Sequence, residues 1–170
     1  GVALVVTSAE RARDLRQPGV RIVAASQAHA IGGDIMFDYY RSELEDFEEA
    51  RLCTEELWRQ SGLGPRDIDV ALIYENFSPI VFLALEAHGF CGRGEAKHFI
   101  ADGHGELTGS LPLNTNGGLL GEAYIHGMNG ITESVRQVRG TAVNQVPDVE
   151  HVLVTAGTGV PTSALILGRP

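Results

Sequence analysis

The chain has 170 residues, 44% hydrophobic and 21% charged, with a formal net charge of −9, which suits one soluble domain with a sizeable core. No run of about 18 apolar residues argues for a membrane span, and no basic cluster offers the phosphate-binding face that a nucleic-acid partner requires. The two cysteines, Cys53 and Cys91, do not imply a disulfide framework, so a reduced, cytoplasmic setting is expected.

Val2 to Val6 is an apolar, mostly β-branched run and reads as a strand; Ser8 follows it and can cap a helix over residues 9–15. A basic n-region is missing, so this start does not read as a signal peptide. Pro18-Gly19 breaks the helix, and Val20 to Ala25 is the next predicted strand. Residues 26–42 show no period and read as a loop near a site. The acidic run Glu43, Glu45, Asp46, Glu48 and Glu49 reads as a solvated helix start. Asp46 opens a helix with Phe47, Ala50, Cys53 and Leu57 on one face, and Gly62 and Gly64 close it.

Asp69 to Tyr74 is a near-continuous apolar run, as expected of a strand buried on both faces. Residues 78–88 form a predicted helix with Pro79 in its first turn. The Gly-rich loop 114–118 is expected to lead into a helix carrying Ile131, Val135 and Val138. His151 to Thr155 and Ser163 to Leu167 are the last strands. This order predicts an α/β layered domain, with a mostly parallel five-stranded sheet and helices on both faces.

In such sheets ligands collect beyond the carboxyl ends of the strands. That rule singles out Tyr74 and Thr155. It also favours the loop NTNGG, whose amides at Asn116, Gly117 and Gly118 are expected to open a helix and receive an anion or a developing oxyanion.

Three segments carry a resemblance. NTNGGLLGEAYIHGMNG, residues 114–130, resembles the N-x-N-G-G-x-x-x-x-G-H-P-x-G-x-x-G stretch of thiolases and lipid-transfer thiolase-like proteins. GLGPRDIDVALIYENFSP, residues 62–79, is similar to their strand leading into Asn-Glu-Ala-Phe or His-Asp-Cys-Phe. TAGTG, residues 155–159, matches the place of Cys-x-Gly-Gly-Gly. The resemblance covers essentially the whole chain and implies a C-terminal thiolase-like domain over residues 1–170. It places the usual nucleophilic cysteine in an N-terminal half that this chain lacks.

The departures fall on the chemistry. Tyr74 stands where the family has Asn or His, Tyr124 where it has the His of Gly-His-Pro, and Thr155 where it has the second catalytic Cys. Ordinary thiolase chemistry is therefore not expected. Thioester enolate stabilisation, which retro-aldol cleavage shares with thiolysis, survives such changes, because it rests on amide donors. Tyrosines at these places resemble the steroid side-chain aldolases of actinobacterial sterol degradation. That resemblance implies cleavage of a 17-hydroxy steroid side-chain CoA thioester, a β-hydroxyacyl-CoA, into a ketosteroid and propionyl-CoA. Tyr74 and Tyr124 are then the acid/base pair, in either assignment. A phenol is a weak base at neutral pH unless donors favour the phenolate, and Asn76 is a candidate donor. His126, Thr155 and Gly157 complete the expected substrate-contacting set.

The resemblance also implies CoA as part of the substrate with no tightly bound cofactor, a homodimer, and an acyl-CoA-binding partner with an OB-fold and zinc ribbon. Two alternatives stay open: a thiolase-like protein that only binds acyl-CoA or lipid, and a thiolase or acyltransferase using a cysteine of the other half. Remaining candidates read as structural. Cys91 reads as loop packing rather than a nucleophile, and His98, Asp102 and His104 as a surface loop rather than metal ligands. Asn114 and Asn116 read as fixing their loop through local side-chain to backbone bonds, and Glu122 as a helix-start carboxylate.

Overall fold

The computed structural model describes residues 1–31, 47–157 and 162–170. Expectations for residues 32–46, including Glu43, Glu45 and Asp46, and for residues 158–161 lie outside the described residues. The elements are α1 (Ala9–Ala12), β1 (Arg21–Ala28), α2 (Glu48–Ser61), β2 (Val70–Leu72), α3 (Pro79–Ala87), α4 (Ala96–Ala101), α5 (Met128–Arg139), β3 (His151–Ala156) and β4 (Thr162–Gly168). Helix signals are realised locally. Ser8 Oγ accepts from the Arg11 amide at 3.4 Å, though α1 is shorter than the expected 9–15. Gly62 closes α2 in the left-handed region, its amide donating to the Trp58 carbonyl.

The sheet has the order β1-β4-β3-β2. β2 pairs parallel with β3, whereas β3–β4 and β4–β1 are antiparallel. This corrects the expected five mostly parallel strands on both counts. Residues 2–6 form no strand, and Val5 and Val6 are 87% and 78% exposed. β-branched sequence becomes a strand only where it pairs with another strand, and residues 2–6 do not. Between β3 and β4 lie only residues 157–161, far short of the roughly dozen residues that a parallel crossover needs.

Alternation along the strands divides the core. Ala71, Ile73, Leu153, Ala164 and Ile166 pack with Cys53 and Leu57 of α2 and with Ala84 and Leu85 of α3. Val70, Leu72, Val152 and Val154 face the other way, toward Val138 of α5. Helices therefore cover both faces, as expected from the apolar run at 69–74, and each fully buried Leu or Ile contributes about 1.5–3 kcal/mol. α5 rests tightly on the sheet because Gly130 has no side chain: a Cβ there would lie 3.2 Å from Val154 Cγ1 and 3.6 Å from Leu72 Cβ.

β1 and β2 both run in the direction of β3. The carboxyl ends of these three strands and the start of β4 therefore share one edge of the sheet. α5 begins at that edge, since a Cβ on Gly127 would touch Ala156 Cβ at 3.7 Å.

One buried group makes stability depend on pH. His88 is 1% exposed and its Nδ1 is hydrogen-bonded to Thr54 Oγ1. Thr54 donates its own proton to the Ala50 carbonyl at 2.6 Å, so the His88 Nδ1–H is the donor. Burial pushes the imidazole down to about 4, against about 6.5 in an unfolded chain. Between those values the unfolded state binds the extra proton, so stability falls as pH drops from about 6.5 to about 4, by about 3 kcal/mol in all. His88→Gln keeps a partner for Thr54 and cannot titrate. Urea unfolding of the full-length protein at pH 7 and pH 4.5 should show a smaller pH-dependent loss in the variant. An equal loss in both proteins would remove His88 as its source.

Candidate functional site

β2 ends at Leu72, so Tyr74 stands two residues beyond the strand rather than at its last position. What holds it there is Asn114. The Asn114 side chain spans Ile73, accepting from its amide at 2.8 Å and donating to its carbonyl at 3.0 Å, while its own amide bonds to the Ala71 carbonyl. The loop-fixing reading of Asn114 is thus realised as a clamp on the end of β2. Next to Tyr74, Glu75 is 7% exposed, and its Oε1 accepts from the Leu120 amide at 2.9 Å. Glu75 Oε2 and Asn76 Oδ1 are buried with no hydrogen-bond partner among the described residues.

The loop NTNGG does not open a helix, contrary to the expectation, because α5 begins only at Met128. Its amides are used within the turn. Gly117 donates to the Asn114 carbonyl at 2.8 Å, and Gly118 donates to Asn116 Oδ1 at 3.3 Å. Gly118 sits at φ +74°, where a Cβ would fall 2.2 Å from Glu75 Oε1. The glycine lets this turn close over the buried carboxylate. In this conformation the loop is a support for Glu75 and Tyr74, and its Gly117 and Gly118 amides are already paired.

Tyr124 lies on the stretch between that turn and α5. It is 62% exposed, with its ring edge-on to His126 at a centroid distance of 5.2 Å. His126 has φ +40°, a strained value for a residue with a side chain. Neither residue belongs to a helix, so helical spacing does not keep them apart, and the irregular backbone brings the two rings together.

An open pocket of about 550 Å³ lies at the shared sheet edge, and Ser26, His126, Gly127, Met128, Thr155 and Ser163 are among the residues lining it. It collects His126 and Thr155 from the expected set, and Gly157 follows directly at φ +106°. Tyr74, Asn76, Asn116, Gly117, Gly118 and Tyr124 are outside its lining, on the loops at the same edge. Behind these loops runs a buried polar network: Thr115 donates to Glu133 at 2.7 Å, and Gln137 donates to Thr115 and to the Asn144 carbonyl. Sequence reading missed these residues, although polar side chains at helical spacing on a face otherwise expected to be apolar are a signal of such a network.

Other candidates settle into packing. Burial, then the charges of Glu86 and Glu95, push the Cys91 thiol up to about 11, which keeps it protonated and a poor nucleophile. His104 bonds to Ser110 Oγ and packs on Phe99. No group of three potential metal ligands occurs among the described residues, and no helix there is long and apolar enough to cross a membrane.

The profile of the thiolase C-terminal domain-like family matches residues 38–169. The chain is 61% identical over 167 residues to 17-hydroxy-3-oxo-4-pregnene-20-carboxyl-CoA lyase of Mycobacterium tuberculosis, covering 98% of this chain and 43% of that protein. It is 60% identical over 168 residues to the steroid side-chain-cleaving aldolase of Thermomonospora curvata, again over 43% of the relative. The solved Ltp2-ChsH2(DUF35) aldolase superposes with a TM-score of 0.91 at 58% identity, over 95% of this chain and 42% of that one. The chain thus spans less than half the length of these relatives.

Proposed function

The chain belongs to the thiolase C-terminal domain-like family, and from that premise we propose that it is the C-terminal half of a retro-aldol lyase acting on a β-hydroxyacyl-CoA. The observation that carries this reading is the 61% identity, over 98% of the chain, to a lyase whose name specifies a 17-hydroxy steroid CoA thioester. The substrate is then a 17-hydroxy steroid side-chain CoA thioester, and the products are a 17-ketosteroid and propionyl-CoA.

The chemistry needs one base and one acid. A base removes the proton from the C17 hydroxyl; the oxygen's electron pair forms the ketone as the bond from C17 to the α-carbon breaks. The electrons of that bond become the thioester enolate, and an acid returns one proton to the α-carbon. The step is redox-neutral, so CoA enters only as part of the substrate. Tyr74 and Tyr124 serve as this acid/base pair, with His126, Thr155 and Gly157 contacting the thioester end. Asn76 and Asn116 belong to the same substrate-binding set, and Gly117 and Gly118, whose amides are paired within the turn, support the loop that carries Tyr74. An N-terminal half completes the CoA site and the protein acts as a homodimer. By analogy with the two-component Ltp2-ChsH2(DUF35) assembly, it works with an acyl-CoA-binding partner of OB-fold and zinc-ribbon type.

The test is turnover by the full-length protein with its partner. Equimolar propionyl-CoA and ketosteroid should appear from the 17-hydroxy thioester without added free CoA. Tight binding with no release would overturn the lyase reading in favour of an acyl-CoA-binding protein. Release that requires free CoA would overturn it in favour of thiolysis.

A further inference from the structure

Tyr124 is mostly exposed, so its placement must come from the backbone that carries it. That backbone is held by one buried side chain in the first turn of α5. Asn129 Oδ1 accepts from the Ile125 amide at 2.6 Å. Asn129 Nδ2 donates to Glu122 Oε1 at 2.8 Å and lies 3.4 Å from the Ala123 carbonyl, to which it also donates. The peptide groups on both sides of Tyr124 therefore end on the same amide. Glu122 Oε1 accepts a second bond, from Asn116 Nδ2 at 2.7 Å, and Asn116 in turn holds the Gly118 amide. The carboxylate ties the Tyr124 stretch to the turn that supports Glu75, next to Tyr74.

We propose that Asn129 and Glu122 are the positioning residues for Tyr124, fixing it against the loop that supports Tyr74. The inference rests on the lyase reading for its kinetic arm only. Without the Asn129 amide, no other described residue holds the Ile125 amide, and His126 at φ +40° is free to relax toward the ordinary region. Displacing an acid/base group by about 1 Å reduces turnover by up to about 100-fold. Because neither positioning side chain is assigned to the substrate, binding should be spared.

The experiment compares Asn129→Ala, Glu122→Ala and Glu122→Gln in the full-length protein with its partner. Three quantities are read: kcat for propionyl-CoA release, Kd for the thioester, and hydrogen exchange of the Ile125 amide. Asn129→Ala is expected to lower kcat about 10- to 100-fold with Kd within about threefold, and to raise Ile125 exchange at least about tenfold. Glu122 is exposed, so Glu122→Ala should fold and still lower kcat. Glu122→Gln, whose amide oxygen can accept the same two bonds, should restore it. Unchanged kcat and unchanged Ile125 exchange in both alanine variants would overturn the proposal. So would an equal loss in Glu122→Gln and Glu122→Ala, since charge rather than geometry would then matter. If the wild type releases no propionyl-CoA, the lyase reading fails by itself and the exchange arm still decides the clamp.

Discussion

Tyr124→Phe is expected to lower propionyl-CoA release about 10²- to 10⁴-fold, the range that a positioned acid or base contributes, while thioester binding changes by less than about threefold. The substitution is well matched to the structure. Phenylalanine keeps the ring and its edge contact with His126. It also keeps every backbone bond through which Asn129 holds the stretch. Only the hydroxyl is removed, so a loss in kcat with Kd retained isolates proton transfer from packing. Tyr74→Phe should behave alike, because Asn114 holds the end of β2 through the Ile73 backbone and not through the Tyr74 ring. If the two tyrosines act in one proton path, the double variant should be little worse than either single one, since groups acting as a unit are far from additive. Release within about threefold of wild type in both single variants would sink the acid/base assignment. A parallel loss of binding and turnover would assign the tyrosines to substrate contact instead.

The largest expected effect on stability is at Gly118. An alanine there must adopt φ +74° and bring its Cβ to 2.2 Å from Glu75 Oε1 and 3.0 Å from its Cδ. The carboxylate is not a free side-chain end. It is buried, and its Oε1 holds the Leu120 amide. Pushing it aside leaves that amide unpaired, at about 1–3 kcal/mol, and the left-handed backbone adds about 1 kcal/mol more. Gly118→Ala should therefore destabilise the full-length protein by about 2–4 kcal/mol in urea unfolding. Repeating the substitution in a Glu75→Ala background tests the cause, because the clash is then gone and only the backbone strain, about 1 kcal/mol, should remain. A cost below about 0.5 kcal/mol in the wild-type background would mean that the turn does not close over Glu75 as described.

Much of the site could be read from the chain because its residues are local to motifs. The local bonds expected of this loop are made by Asn116, which holds the Gly118 amide, whereas the Asn114 side chain bonds to Ile73, which no local pattern specifies. Asn129 escaped notice for the converse reason. Its partners, Glu122, Ala123 and Ile125, are neighbours in sequence, but the bonds exist only because the stretch before α5 is irregular, with His126 and Gly127 at positive φ. A helix extended back to residue 119 would have pointed these groups elsewhere. Glu133 and Gln137 were passed over because a buried face is expected to be apolar, whereas theirs is satisfied by Thr115 and Asn144.

By itself the sequence determined the family, the two-faced burial of β2 and the glycine stop of α2. These follow from residue identity and short-range spacing: alternation along a strand, a glycine free to adopt φ +70° after α2, and motifs read in order. Strand direction, strand number and the use of the NTNGG amides were decided only by the tertiary structure. β1 pairs with β4 across the whole chain, residues 2–6 pair with no strand, and Glu75 occupies the space over Gly118. Each depends on which distant backbone or side chain arrives as a partner, and hydrogen bonds and close packing are formed with partners in space, not with neighbours along the chain.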